Sequence, residues 1–66
     1  MTEIPIATVK RLMKGAGAKR VSDGAAITLA EIAETFIIEI SEDAVKAANH
    51  AGRKTVQSID IDMALN

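Results

Sequence analysis

Nearly half of this chain reads as one uninterrupted helix, and that element limits what the rest can build. Ser22 with Asp23 supplies a helix start, no proline follows before the end of the pattern, and Gly52 stops it after Ala51. The span is about 29–30 residues, or about 45 Å at 1.5 Å per residue. A competing start lies at Thr28, where Thr28-x-x-Glu31 has capping-box form, and Gly24 weakens the first turn by about 1 kcal/mol relative to alanine. The longer helix is preferred, because Ala25, Ala26 and Ile27 are compatible with it and nothing obliges a break.

The flanks are too short to cover such a rod. Pro5 suits a first helical position, Ile6, Val9, Leu12 and Met13 recur at helical spacing, and Gly15 and Gly17 end that segment. Gly52 to Val56 reads as an extended connection, after which Ser58 caps a last helix, Ile59 to Asn66, with Asp60 in its first turn. The plan is all-α, a short helix, a long helix and a short helix in one domain, 1–66. Flanking helices of this size cover roughly 15 and 14 Å, which leaves about 16 Å of the long helix bare. Its apolar residues nevertheless continue through the middle on two stripes, Leu29-Ile32-Phe36-Ile40 and Ala33-Ile37-Ile40-Ala44. That is wider than one packing face requires. A belt centred on Phe36, Ile37 and Ile38 is what a second copy of the same helix would bury, so an intertwined helical dimer is expected, with Leu29, Ile32, Phe36, Ile37 and Ile40 at its interface.

Composition makes the same demand. The 66 residues are 48% hydrophobic, but twelve of those side chains are alanine and only one is aromatic, Phe36. There is no cysteine, so neither a disulfide nor a thiolate zinc site can compensate for a small core. Its absence also fits a reducing compartment. No basic N-terminal region leads into a long apolar run, and Glu34, Glu39 and Glu42 interrupt the densest apolar stretch, so neither a signal peptide nor a membrane span is expected.

A net charge of −1 argues against a nucleic-acid partner until its distribution is considered. Between Val9 and Val21 stand Lys10, Arg11, Lys14, Lys19 and Arg20 with no acid, and Arg53 and Lys54 form a second basic point. Between Ser22 and Val45 stand Asp23, Glu31, Glu34, Glu39, Glu42 and Asp43 with no base. Segregation of this kind lets one face be positive on a slightly negative molecule.

The runs IPIATVKRLMKGAGAKRVSDGAAITLAEIAE and AVKAANHAGRKTVQSIDIDMAL resemble the archaeal histones over nearly the whole chain. Most specific are Ile4-Pro5-Ile6-Ala7, the loop Ala18 to Ser22, and His50 to Val56 followed by Asp60-Ile61. The resemblance implies the histone fold, a head-to-tail handshake dimer and the wrapping of double-stranded DNA. It also implies site residues. Arg20 would enter the minor groove, as arginines of histone octamers do without base-specific contacts, steadied by Thr55 of the other chain. Lys19 and Lys54 would contact phosphates, and Arg11 and Lys14 of the paired first helices would supply the central contact. Lys10 is an ordinary solvated charge on this reading. Thr55, being β-branched, would also favour the extended loop. Arg53 would pair with Asp60 in a salt bridge within one chain.

The same resemblance places the only histidine, His50, at a four-helix bundle between dimers, facing Asp60 of the neighbouring dimer with Ala47 and Met63 packed around it. Gly17 would permit close stacking of neighbouring layers. Several positions depart from the family: Ala26, Ile38, Asn49 and Gln57 stand where many relatives carry a basic residue, and Asn66 stands where some have a basic ending. These departures bear on DNA affinity and not on fold.

No enzyme is expected. There is no cysteine nucleophile, no Ser–His–Asp arrangement and no phosphate-cradling glycine loop after a strand, and one histidine without cysteine makes neither a catalytic group nor a metal site. No cofactor is expected. The expected partners are double-stranded DNA and the chain itself, as a homodimer and in larger assemblies on DNA, with a paralogous histone as the other dimer partner the resemblance allows and no membrane. The expected location is the cytoplasm, on the chromosome or nucleoid. The competing function is a histone-fold interaction module that heterodimerises and binds DNA weakly.

Overall fold

The structure, a computed structural model, describes residues 2–66. Met1, the first residue of the expected domain, lies outside them. Among the described residues three helices follow one another: α1, Ile6–Gly15; α2, Asp23–His50; and α3, Ser58–Leu65. The central helix has 28 residues against ten and eight for its neighbours.

Local chemistry sets the ends. The Ala25 N–H donates to Ser22 Oγ at 3.0 Å and the Ala26 N–H to the Ser22 carbonyl at 3.1 Å, so α2 starts at the earlier of the two candidate sites and Thr28 lies inside it. Two expectations at helix starts need correction. Pro5 is the N-cap of α1 and not its first helical residue: its ψ of 123° is extended, while its carbonyl already accepts from the Val9 N–H at 3.2 Å. Ser58 opens α3 but does not cap it. Gln57 is the cap: its carbonyl accepts from the Asp60 N–H at 2.9 Å while the Asp60 carboxylate accepts from the Gln57 N–H at 2.7 Å.

Both loops leave their helices in the same way. The Ala18 N–H reaches back to the Met13 carbonyl and the Gly17 N–H to that of Lys14, a Schellman pair; Arg53 to Ala48 and Gly52 to Asn49 repeat it at the end of α2. The turning residues are Gly17, at φ 116°, and Gly52, at φ 75°, where a Cβ would be strained. Each glycine stands two and three positions before the pair of interest, Lys19-Arg20 and Lys54-Thr55.

The residues group into two compact units that share α2, one extending to Thr35 and the other Phe36–Asn66. In the first, Val9 packs with Ala26 and Ala30, and Ile4, Ile6, Met13 and Val21 close around them. Glu34 ties the N-terminal segment down, accepting from Thr2 Oγ1 at 3.2 Å and the Glu3 N–H at 2.7 Å. In the second, Ala44, Ala48 and Asp60 are buried. Phe36, Ile37, Ile40 and Ser41 of α2 and Ile61 and Leu65 of α3 line an apolar groove of about 260 Å³.

Among the described residues, the largest fully buried side chain is therefore a carboxylate and not a hydrocarbon. Leu29, Ile32, Phe36, Ile37, Ile59, Met63 and Leu65 are all exposed in the single chain, and Ile40 is half-buried. Both units thus leave more large apolar side chains exposed than a monomeric domain ordinarily does.

Candidate nucleic-acid interface

Arg11 and Lys14 stand exposed on α1, Lys19 and Arg20 in the loop after it, and Lys54 and Thr55 in the loop after α2. None of these five cations is ion-paired among the described residues. The two cations that are paired, Lys10 and Arg53, both fall outside the expected DNA contacts; Lys46, on α2, falls outside them too and is unpaired among the described residues. Lys10 bonds Asp23, whose pKa that hydrogen bond lowers. This pair turns Lys10 from a free surface charge into a tie between α1 and the start of α2.

Arg53 organises the second loop. Its Nη1 and Nη2 donate to Asp60 Oδ2 and Oδ1, both at 2.8 Å, and Nη1 also donates to the Thr55 carbonyl at 3.2 Å. With the Gln57 N–H, Asp60 accepts three hydrogen bonds, and its side chain has no exposed surface. The Arg53 bonds first, then the Gln57 N–H, hold its pKa down at about 2 against an ordinary 3.8. Arg53 in turn is held above its usual pKa by Asp60. The bidentate pair fixes the chain from Arg53 to Asp60, and Lys54 and Thr55 ride on that clamp with their side chains free.

Ala47 is half-buried near the end of α2, His50 is exposed at its last position, and Met63 is exposed on α3. Asp60 differs from them: its carboxylate is enclosed, so an outside histidine reaches it only where the Arg53 pair or the Gln57 turn opens. Gly17 is exposed, and a Cβ there would meet nothing within 4 Å. Its φ alone suffices to demand glycine. Arg20 and Thr55 lie in different units, and their expected pairing is between chains.

Several of these ties carry weak sequence signals. Lys10 and Asp23 are 13 positions apart, across a turn, and no periodicity links them. Gln57-x-x-Asp60, by contrast, has capping-box spacing that residues alone display. Ile61 and Leu65 line a groove with Phe36, Ile37 and Ile40 through the placement of α3, which the alternating run Ser58-Ile59-Asp60-Ile61-Asp62, without helical periodicity, does not reveal. Among the described residues no helix is long and apolar enough to cross a membrane.

A long helix between two short ones, with glycine-launched basic loops at both of its ends, defines a histone fold. A family model described as histone-like transcription factor (CBF/NF-Y) and archaeal histone matches residues 2–65, and the chain belongs to that family. It is 49% identical over 65 residues to one of the subunits of archaeal histone HAN1 from Thermococcus zilligii, covering 98% of this chain and 97% of that protein. To probable archaeal histone 3 of Methanocaldococcus jannaschii it is 45% identical, with the same coverage. Histone H4 of Dictyostelium discoideum is 33% identical over 57 residues, which span 86% of this chain and 53% of the longer protein. The chain is an architectural DNA-binding histone and not an enzyme.

Proposed function

We propose that the chain forms a handshake homodimer that wraps double-stranded DNA without strong sequence preference, and that dimers join on DNA into nucleosome-like assemblies. The observation that carries this reading is electrostatic: Arg11, Lys14, Lys19, Arg20 and Lys54 are exposed and unpaired among the described residues, while Lys10 and Arg53 are taken up by carboxylates. A slightly acidic molecule thus keeps five of the six cations unpaired among the described residues on α1 and in the two loops, the sixth being Lys46 on α2. In the dimer, Arg20 enters the minor groove beside Thr55 of the other chain, Lys19 and Lys54 bind phosphates, and Arg11 with Lys14 forms the central contact. Leu29, Ile32, Phe36, Ile37 and Ile40 meet across the two-fold axis, and Ile61 and Leu65 extend that surface.

Dimers meet through Ala47, His50 and Met63. Asp60 stands behind them and accepts from His50 of the neighbour only where its own chain yields an oxygen. Gly17 leaves room for stacked layers. The chain acts in the cytoplasm, on the chromosome.

A paralogous histone is the other partner to consider. The net charge of −1 and the uncharged Ala26, Ile38, Asn49 and Gln57 favour it, and the HAN1 relative carries a name that makes it part of a larger assembly. Nuclease digestion of a long duplex saturated with the pure protein separates the two readings. A ladder of protected fragments is expected, shortened in His50→Ala, whose dimers still bind DNA. Absence of any protection by the chain alone, restored by a second histone, would establish the heterodimer instead.

A further inference from the structure

Around the middle of α2, apolar side chains point in more directions than α3 and one partner helix can cover. Ala44 and Ala48 are buried and mark one side. Phe36 belongs to the dimer belt. Ile38, expected from the sequence in the same belt, lies about 160° away round the axis, so a helix that touches Phe36 does not touch Ile38 and the belt narrows to exclude it. Ile38 is 53% exposed, and Val45, seven positions later on the same side, is 44% exposed. With Ile37, Ser41, Glu42, Asp43 and Lys46 they line a shallow groove of about 580 Å³. None of the proposed DNA contacts lies on this face.

We propose that the Ile38–Val45 face docks on the same face of a second dimer, the two helices antiparallel about a two-fold axis between Ser41 and Glu42. It rests on the proposed function only in taking the Phe36 side as already covered by the dimer partner. An axis at that point makes the face self-complementary. Ile38 comes level with Val45 of the other copy, and Val45 with its Ile38, so each branched side chain meets one. Ser41, the smallest side chain in the groove, sits at the crossing, where the backbones approach. Helical side chains lean towards their own N-terminus. In antiparallel copies Glu42 of one therefore leans towards Lys46 of the other, and Lys46 leans back to meet it. Two such pairs run along one side of the apolar strip, whereas parallel copies would set Glu42 against Glu42 and Lys46 against Lys46. Opposite charge thus selects both direction and register.

The strip is far smaller than the roughly 800 Å² per partner of a standard interface. Association is accordingly weak, with a Kd on the order of 1 mM, the effective concentration that neighbouring dimers reach when tethered on one DNA.

The test is sedimentation equilibrium of the full chain, taken up to about 1 mM, in a Met63→Lys background that closes the other dimer–dimer face. A four-chain species that grows with concentration is expected. Ile38→Lys should weaken it about tenfold or more while leaving dimers intact. Glu42→Lys should weaken it as well, and Glu42→Lys with Lys46→Glu should restore it. The inference is overturned if Met63→Lys alone holds the protein at dimer mass, if Ile38→Lys leaves the four-chain species unchanged, or if the charge swap fails to restore it. Loss of the dimer itself in Ile38→Lys would also overturn it, by assigning the face to the dimer. A folded monomer in the wild type would instead refute the dimer reading on which the inference stands.

Discussion

Phe36→Ala tests the dimer most severely, because the single chain leaves 56% of that side chain exposed. Truncating a phenylalanine packed in a core destabilises by about 3–5 kcal/mol. Taking the partner's share as about half gives about 2 kcal/mol per copy. A two-fold dimer loses that share twice, so association weakens by about 4 kcal/mol, a rise in Kd of about a thousandfold. The remaining share weakens the chain's own second unit, where Phe36 lines a groove with Ile61 and Leu65. The assay is sedimentation equilibrium combined with thermal melts followed by circular dichroism at several protein concentrations. Wild type should sediment as a dimer and melt at a temperature that rises with concentration. The variant should dissociate and lose helix at concentrations where wild type remains dimeric. A wild-type melting temperature independent of concentration, or a variant Kd within about threefold of wild type, would refute the reasoning.

Ile37→Glu places a charge in the same belt and should abolish the dimer along with helical circular dichroism; a stably helical monomer would move the interface elsewhere. Asp60 should contribute pH-dependent stability. Because its folded pKa is about 2 against 3.8 for an ordinary aspartate, the contribution is full above about pH 4 and disappears as pH falls towards 2. Asp60→Asn should lower stability at neutral pH and remove that part of the acid dependence, so an unchanged acid profile would contradict the clamp. Gly52→Ala should destabilise by about 1 kcal/mol or more through its positive φ alone, since a Cβ there meets nothing within 4 Å, and an unchanged melting temperature would contradict that. Arg20→Ala should weaken binding to every duplex, most where a narrow minor groove attracts arginine, and equal affinity of the variant on all duplexes would remove Arg20 from the site.

The long helix is legible from residues alone because its ends carry local chemistry: a serine cap at Ser22 and a positive-φ glycine at Gly52. Its length and the uncovered belt then require a partner, independently of any resemblance. Finer placements depend on tertiary pairing. Ser58 ranks above Gln57 as an intrinsic cap, yet Gln57 caps α3 because Asp60 stands three positions on and answers it. The Arg53–Asp60 clamp is implied by family likeness and not by spacing, since an extended loop lets residues seven apart meet or miss. The structure adds the third bond of that clamp, to the Thr55 carbonyl, which links the salt bridge to the loop that carries Lys54. Lys10 reads as an ordinary solvated charge; its bond to Asp23 depends on how the Gly17 turn brings α1 back to α2.

The central claim, that a nearly neutral chain binds duplex DNA through cations concentrated on α1 and its two loops, is tested most directly by the salt dependence of binding. If a dimer neutralises roughly six to eight phosphates, log K on a mixed-sequence duplex should fall against log[salt] with a slope of about −5 to −7. Arg20→Ala, which removes one cation from each chain, should flatten that slope by about 2. A wild-type slope near −1, unchanged in the variant, would contradict the claim and leave the histone fold here as a protein-interaction module.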